Sequence, residues 1–477
     1  MRIISILCSL LFTSVLVAEV KSDLQPAQMQ QDLGVLRRAL DEAHGGLHRF
    51  STKAELDKQF LTARLKLDRP MPALAFISVV SEALTIVRDG HMRLEYDDAT
   101  VAALATARLL PLRVVSEAGR IIVAYNDATG DETVRPGMEL LTINGRTIAE
   151  ITPLILARLS GDGFIETGKT WRMARAFAEN YWLFVDQSPT FAVTARAPGG
   201  RTVTASLDGV TTVDRMKSVN PMNAVMAANL AKLDGPRDAV SLQFPRGDDV
   251  GLLRIRTFNG ETFPASVAAA FSTLRARAAS ALILDLRGNG GGVDEYGALL
   301  VSYFVAAPFR YFDHIKVTTI RPSFATWKAS TFEDLKNGTQ PAPGGGFLVL
   351  PQLHPGVAEQ KPAATPFLGR VSILIDGGTF STAADVCAQL RSRTKAIFIG
   401  EETGGGFEGN TSGLNAQIVL PNSRLKLKIQ MYGYWNAVSG GQPGRGTMPD
   451  LAVVRSVEDV LAGNDPPVDR AVAIARK

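Results

Sequence analysis

The sequence predicts a multidomain α/β protein, because three parts of its 477 residues carry different hydrophobic patterns. Residues 24–88 place apolar side chains at three- and four-residue spacing, which is typical of helices. Residues 110–207 contain short runs rich in β-branched residues that indicate strands, with a helical stretch between them. From Val250 onward, predicted strands alternate with predicted helices, and this order implies a largely parallel sheet.

These patterns divide the chain into five parts. The predicted parts are a signal peptide at 1–18, an N-terminal helical domain at 24–100, a β-rich module at 108–210, a linker at 211–249 and an α/β domain at 250–477. A chain of this length is expected to hold two or three domains.

The first residues are typical of a secretory signal peptide. Met1–Arg2 is a short basic region, Ile3–Val17 is apolar, and Ala18 is a small residue suited to cleavage. The apolar run is too short for a durable membrane span, and no second run in the sequence is long enough. One cysteine, Cys387, would remain after cleavage, so no disulfide bond could form within the mature chain. We therefore expect a mature protein without a membrane span, located in the periplasm or secreted.

Charge and motif content argue against nucleic acids, metals and cofactors as partners. The chain has 51 basic and 47 acidic residues and no basic block with interleaved aromatic residues, so nucleic-acid binding is not expected. His44 and His48 have the spacing of a zinc helix, but the glutamate of that motif is missing and the intervening glycines would end a helix. Both are predicted to be ordinary loop residues. The glycine loop, Gly288–Gly292, departs from the dinucleotide fingerprint at Val293, so we predict neither a metal nor a cofactor.

Helices are predicted throughout the stretch before residue 88, and a turn follows the last of them. Thr52 and Glu55 form a capping box at a helix start, and Pro70–Val87 is a strongly apolar helix. The turn Arg88–His91 then leads into an alternating strand. His91 is thus held between two ordered elements, where a general base could be positioned, although a lone histidine is more often structural.

The β-rich module contains the segment Val134–Gly145, which resembles the core signature of a PDZ domain. PDZ domains accept an extended peptide tail by strand addition at a sheet edge. Two interpretations stay open: the module binds the tail of a polypeptide, or it only packs against its neighbours.

The segment Val371–Leu390 predicts a strand, a turn and a helix, with Ser381 at the start of the helix. Thr382 and Asp385 fit a capping box there. Unpaired N–H groups and the positive end of the helix dipole point at this position, and such donors stabilise the oxyanion that forms when a serine attacks a carbonyl group. The alternative is that Ser381 or Thr382 is only an N-cap.

Four segments, in order, resemble the signatures of the C-terminal-processing, or tail-specific, serine protease family, which includes the tricorn-type peptidases. They are Leu284–Gly292, Leu374–Asp385, Ile399–Gly405 and Gly444–Asp450. The resemblance implies a crotonase/ClpP-like catalytic core and gives Ser381 the role of nucleophile. It also implies an oxyanion hole formed by the backbone of the glycine loop, at Gly290 or Gly291, and by Thr382.

The resemblance also selects a general base. The Ser/Lys branch of the family has a lysine 25 positions after the serine, where this chain has Gly406, so a lysine base is missing. The Ser/His branch has its base on an Asp-Gly-His turn N-terminal to the PDZ-like module, which matches His91. The residue that orients this base is Glu401, Glu402 or Asp89, with Glu401 the first choice.

The sequence therefore predicts a serine peptidase that cleaves peptide bonds of extracytoplasmic proteins or peptides through an acyl-enzyme on Ser381. The alternative is a non-catalytic protein on the same scaffold that binds an apolar ligand or a peptide, and the presence of both Ser381 and His91 favours catalysis. Ser392–Lys395 also satisfies a Ser-x-x-Lys pattern but lacks the companion motifs of the β-lactamase group. Residues 321–365 are expected to form a long loop, either a lid or an insertion without a role.

Overall fold

The structure is a computed structural model that describes residues 23–217, 220–245, 249–325 and 328–476. The predicted signal peptide at 1–18 lies outside these ranges. Over the described residues the fold is mixed α/β, as the sequence predicts. None of the described helices is long and apolar enough to cross a membrane.

The N-terminal region is helical and contains one short strand. Its elements are α1 (Pro26–Ala43), α2 (Lys53–Leu65), α3 (Ala73–Leu84), β1 (Arg93–Glu95) and α4 (Asp98–Thr106). The capping box predicted at the start of α2 is confirmed. The Glu55 N–H donates to the Thr52 side chain, and the Glu55 carboxylate accepts the Thr52 N–H at 2.8 Å. A 3₁₀ turn, Thr85–Val87, continues α3 toward the turn that carries His91.

An antiparallel sheet with packed helices follows. The elements are β2 (Leu112–Glu117), β3 (Arg120–Asn126), β4 (Glu139–Ile143), β5 (Arg146–Thr147), α5 (Ile148–Leu156), α6 (Glu166–Arg175), α7 (Phe177–Phe184), β6 (Thr190–Arg196), β7 (Thr202–Asp208), α8 (Thr212–Lys217) and α9 (Ala224–Asp234). The strand order is β2-β3-β4-β6-β7, with β5 paired to β4. Ile151 of α5 and Phe177 of α7 pack into the same buried cluster as Val193 of β6. The helices therefore cover the apolar face of this sheet.

The remaining elements form the α/β region. They are β8 (Val240–Gln243), β9 (Val250–Ile255), α10 (Phe263–Ala276), β10 (Ala281–Asp285), α11 (Asp294–Ser302), β11 (Phe309–Arg310), β12 (Phe312–Val317), α12 (Ala329–Asn337), β13 (Thr339–Pro341), β14 (Phe347–Val349), β15 (Glu359–Gln360), β16 (Arg370–Ile375), α13 (Thr382–Arg393), β17 (Ile397–Gly400), β18 (Thr411–Val419), β19 (Lys426–Asn436), α14 (Val457–Ala462) and α15 (Pro466–Ala475). One sheet has the order β17-β16-β10-β9-β8, and its first four strands are parallel. The parallel sheet predicted from the alternation of strands and helices is present.

A second sheet joins the N-terminal region to the α/β region. Its order is β1-β19-β12-β14-β13, and β18 also pairs with β19. Residues 321–365 contribute α12, β13, β14 and β15, so the prediction of one long loop there is wrong. The reason is strand pairing: Phe347 lies opposite Val317 and Leu348 opposite Lys316, which extends the sheet beyond β12.

The three N-terminal helices share one apolar core with the α/β region. Leu36 of α1 and Phe76 of α3 belong to the same buried cluster as Leu284 of β10, Cys387 of α13 and Ile429 of β19. Removing this apolar surface from water stabilises the packing of the helices against both sheets. The shared core fixes the turn after α3 near the start of α13.

Asp285, at the end of β10, binds the strand to the glycine loop that follows it. Its carboxylate accepts hydrogen bonds from Arg254 Nε at 3.0 Å and from Arg287 Nε and Nη2 at 2.9 and 2.8 Å. Burial alone would raise the pKa of the Asp285 carboxyl, but the charges and hydrogen bonds of Arg287 and Arg254 outweigh burial and hold the pKa well below its ordinary value. Arg287 also binds Asp465 of the C-terminal region at 2.9 Å.

Asp285→Asn is expected to destabilise the protein, because Arg254 would remain buried without its carboxylate and Arg287 would keep only Asp465. Breaking such a pair costs about 3–5 kcal/mol, which urea denaturation at neutral pH measures. Since folding lowers the pKa of Asp285, its contribution to stability is lost as the pH falls below the ordinary value of 3.8. The control is Asp313→Asn, whose side chain is 60% exposed and should contribute at most about 1 kcal/mol. Equal free energies of unfolding for the two variants would contradict the prediction.

Candidate active site

Ser381 lies in a sharp turn between β16 and α13. Its backbone has φ 54° and ψ −135°, a region that residues with a side chain rarely adopt. Such a conformation costs on the order of 1–3 kcal/mol and is concentrated at functional sites. The predicted position of Ser381 at a helix start is confirmed, since α13 begins at the next residue, Thr382.

The capping box predicted for Thr382 and Asp385 is wrong. Because Ser381 is the N-cap residue, Thr382 is already the first residue of the helix and cannot cap it. Asp385 is instead buried, and its Oδ1 accepts a hydrogen bond from Asn436 Nδ2 at 2.8 Å. Burial raises the pKa of Asp385 well above its ordinary value. The Thr382 hydroxyl donates to Gly292 O at 2.8 Å and so connects the helix start to the glycine loop.

The glycine loop packs directly against the serine turn. Asp376 Oδ1 accepts the N–H groups of Gly288 at 2.8 Å and of Gly378 at 2.9 Å, so one carboxylate holds both segments. Gly291 has φ 95°, and a Cβ there would lie 2.6 Å from Ser381 Cβ. Only glycine permits this approach of the loop backbone to the serine.

The residues predicted for the oxyanion hole differ in the availability of their N–H groups. The Gly291 N–H donates to Asn289 Oδ1 at 2.8 Å, so Gly291 is not a free donor and that part of the prediction is wrong. Within the described ranges, the N–H groups of Gly290 and Thr382 have no acceptor. The first residue of a helix has no intrahelical partner for its N–H, which explains Thr382. Gly290 and Thr382 are the two candidate donors.

His91 lies against Ser381, although 290 positions separate them in the chain. The distance between His91 Nε2 and Ser381 Oγ is 2.9 Å, as expected for a base and its nucleophile. The His91 ring also packs on Phe380, with 4.4 Å between the ring centroids. Asp89 holds the turn, because its Oδ1 accepts the N–H groups of His91 at 2.6 Å and of Met92 at 3.2 Å.

Two buried acids lie beside His91. Asp162 and Asp89 each offer an oxygen, and these atoms and a His91 nitrogen all lie within 4.8 Å of one another. Burial raises the pKa of Asp162, and the charge of Asp89 adds to this rise. Burial also lowers the pKa of His91, and the charges of the two acids offset this only in part. Among the described residues, His91 Nδ1 has no hydrogen-bond partner.

The glutamates proposed to orient His91 lie elsewhere. The Glu401 N–H donates to Ile375 O at 3.1 Å, and burial together with the charge of Asp376 raises the pKa of the Glu401 carboxyl. Glu402 is paired with Arg445, whose Nε lies 2.8 Å from Glu402 Oε1. Neither glutamate is among the charged groups that act on the pKa of His91, which are Asp162, Asp89, Arg172 and Asp294. The choice of Glu401 as the orienting acid is therefore wrong.

Asp162 is a site residue that the sequence analysis missed. It lies in the loop between α5 and α6, and its Oδ1 accepts the Gly90 N–H at 2.7 Å. The sequence offered one local signal, because Asp162 stands between two glycines. The structure shows how tightly this loop packs, since a Cβ at Gly163 would lie 2.3 Å from Gly444 O. An acid in such a tight, close-packed loop is a candidate for a specific contact.

Comparison with known proteins identifies the family. Residues 249–453 match the family model described as Peptidase family S41. The chain thus carries a region that matches peptidase family S41. It is therefore a serine-type peptidase. No curated protein matches the sequence.

Solved structures resemble this S41 peptidase in fold. Mature CPAF matches with 16% sequence identity and a TM-score of 0.63, over 94% of this chain and 97% of that chain. A mutant of CPAF matches with 14% identity and a TM-score of 0.66 over the same shares. The photosystem II D1 C-terminal processing protease matches with 17% identity and a TM-score of 0.42, over 92% and 98% of the two chains. The CPAF structures show a shared fold over nearly the whole chain.

His44 of the S41 peptidase is a second residue that the sequence analysis misjudged. The prediction of an ordinary loop residue is wrong, because the His44 side chain is 1% exposed and its Nε2 lies 2.9 Å from Asp89 Oδ2. The Gly46 N–H donates to His44 Nδ1 at 3.1 Å, so Nδ1 accepts and Nε2 carries the proton given to Asp89. His44 therefore supports the carboxylate that holds the His91 turn.

His44→Ala is expected to lower both stability and turnover of the S41 peptidase. Asp89 Oδ2 would stay buried without its histidine partner, which costs about 3 kcal/mol, and the carboxylate that holds the His91 turn would lose its support. Thermal unfolding and kcat on a peptide substrate measure the two effects. The matched control is His48→Ala in the same loop, since His48 is exposed. A His44→Ala protein that equals His48→Ala in both measurements would refute the role assigned to His44.

Proposed function

We propose that this protein hydrolyses peptide bonds through an acyl-enzyme, with Ser381 as the nucleophile and His91 as the general base. The observation that carries the proposal is the 2.9 Å contact between His91 Nε2 and Ser381 Oγ at a strained helix start. The imidazole accepts the serine proton as Oγ attacks the carbonyl carbon and later donates it to the leaving amine. Water then repeats the attack with the same base and releases the acid product.

Asp162 is the group that we propose to orient His91. Asp89 is already occupied, since His44 binds its Oδ2 and two backbone N–H groups bind its Oδ1. Asp162 faces the same imidazole, and its negative charge acts to raise the pKa of His91. A carboxylate that binds Nδ1 favours the tautomer whose Nε2 accepts a proton, and it stabilises the imidazolium that forms.

The negative charge of the tetrahedral intermediate would be stabilised by Gly290 N–H and Thr382 N–H. Both donors are free within the described ranges, and Thr382 adds the positive end of the α13 dipole. Preorganised donors of this kind stabilise the transition state more than the substrate. A non-catalytic binding protein would not require the strained backbone at Ser381, so this strain favours catalysis over the alternative.

We further propose that the substrates are extracytoplasmic polypeptides and that the protein works in the periplasm or outside the cell. The support is the signal-like segment at 1–18. Tail binding by the PDZ-like module belongs to the same proposal and rests on the resemblance of Val134–Gly145.

Ser381→Ala is expected to abolish peptide cleavage, with a loss of at least about 10³-fold in kcat, because the atom that forms the acyl-enzyme is removed. A serine-reactive phosphonate should label the parent protein, and peptide mapping should locate the label on Ser381. The matched control is Ser392→Ala, which removes a serine from the other end of α13 and should keep full activity. Label on Ser392, or turnover by Ser381→Ala, would overturn the assignment.

The pH profile tests the base and its orienting acid. Activity requires neutral His91, and burial lowers its pKa, so the acidic limb of kcat/KM should lie below the ordinary value of 6.5. Asp162→Asn removes a charge that raises this pKa, so the limb should move further toward acid while kcat falls by about 10²–10⁴-fold. Glu401→Gln is the control and should leave both quantities unchanged. An acidic limb that moves in Glu401→Gln and not in Asp162→Asn would contradict the proposal.

A further inference from the structure

A cavity of about 420 Å³ opens beside the nucleophile. It shares Gly90, Gly290 and Phe380 with the candidate active site, so a group bound there lies next to the reacting bond. Its other walls come from α3, β1, α6 and α7. A cavity of this size accommodates a large side chain together with part of the adjoining peptide.

Apolar and aromatic side chains form most of the cavity wall. They include Leu84, Tyr96, Trp171 and Phe184. Trp171 is fixed against the serine turn, since a Cβ at Gly378 would lie 2.6 Å from Trp171 Cε2. A rigid aromatic wall of this kind binds a bulky apolar side chain through buried area.

The charged side chains that line the cavity are all positive. Three arginines line it, Arg93, Arg158 and Arg172, and its described lining contains no aspartate or glutamate. Arg172 Nη1 donates to Gly90 O at 2.9 Å, and Arg158 donates to Ser78 and Leu154, so both are anchored in place.

Arg93 differs from the other two arginines. It is exposed on β1, and the described residues give it no ion-pair or hydrogen-bond partner. The acid nearest to it on the same strand, Glu95, is already paired with Lys428 at 2.5 Å. The Arg93 guanidinium is therefore free to bind a carboxylate that enters the cavity.

We propose that this cavity selects peptides that carry a bulky apolar residue next to the scissile bond and a carboxylate within reach of Arg93, an inference that rests on the proposed peptidase function. The carboxylate is either the free C-terminus of the substrate or an acidic side chain. Both sources present the same anion to the guanidinium. The cationic, acid-free lining disfavours substrates with lysine or arginine at this position.

Two pairs of quenched fluorescent peptides separate the sources. The peptides of the first pair differ only in a C-terminal carboxylate or amide, and those of the second differ only in glutamate or glutamine beside the apolar residue. The parent protein should cleave the carboxylate member of one pair with kcat/KM about tenfold higher, because a charge-assisted hydrogen bond is lost in the other member. A preference in the first pair identifies the terminus, and one in the second identifies the side chain. No preference in either pair overturns the proposal.

Arg93→Gln should remove this preference by lowering kcat/KM only for the carboxylate peptide. The amide or glutamine peptide should be cleaved as before, since Arg93 does not contact Ser381, His91 or Asp162. Arg64→Gln, on the exposed side of α2, is the matched control and should keep the preference. A preference that survives Arg93→Gln would assign the carboxylate to another group and refute the inference.

Binding to the Ser381→Ala protein tests the cavity without turnover. Fluorescence anisotropy should show about tenfold tighter binding of the carboxylate peptide, and adding Arg93→Gln should abolish the difference. Equal affinities overturn the cavity proposal and leave the peptidase proposal standing. A retained difference in binding, combined with no cleavage and no labelling of Ser381 in the parent protein, would refute the peptidase mechanism and leave the cavity as a peptide-binding site.

Discussion

The alignment of His91 with Ser381 depends on two buried carboxylates that hold one glycine turn. Asp89 accepts the N–H of His91, and Asp162 accepts the N–H of Gly90. A Cβ at Gly90 would lie 2.8–2.9 Å from the side chains of Arg172, Asp162 and Phe380, so the turn tolerates only glycine. Two acids this close repel each other and lose hydration, which makes the arrangement costly unless cations and hydrogen bonds surround it.

Those compensating groups come from parts of the chain far apart in sequence. Arg49, which follows α1, is buried, and although burial lowers its pKa to about 10 it keeps its charge at neutral pH beside Asp162 and Asp89. Arg172 of α6 lies on the other side and donates to Gly90 O. Because these groups interact with one another through shared hydrogen bonds and charges, substitutions among them should not act additively. The cluster acts as one unit that positions His91.

The sequence was most informative where a property is local. A strand, a turn and a helix start can be recognised from neighbouring residues, and for that reason the position of Ser381 was predicted correctly. The Asp-Gly-His turn was found in the same way. Asp162, the acid that we propose to orient His91, was not found in this way. It approaches His91 only through the packing of the loop before α6 onto the turn after α3, and no spacing rule encodes that contact. Glu401 was preferred because it stands within a recognisable signature, but it is not among the charged groups that act on the pKa of His91. His44 was dismissed on its loop pattern, whereas burial against Asp89 decides its role.

Helix α6 shows why the β-rich module belongs to the active site. Gly168 of this helix lies so close to the loop after β17 that a Cβ would be 2.8 Å from Gly404 O, and Trp171 and Arg172 extend from the same helix to the serine turn and the base turn. Packing against neighbours is thus established for the module, and tail binding stays a prediction.

The family match covers residues 249–453, which contain Ser381 and the glycine loop. The base, its acids and the cavity arginines all lie before residue 249. The family region therefore carries the strained serine and the proposed oxyanion donors. The proposed base and the cavity arginines come from N-terminal segments outside that region, so the proposed mechanism depends on how those segments pack onto it.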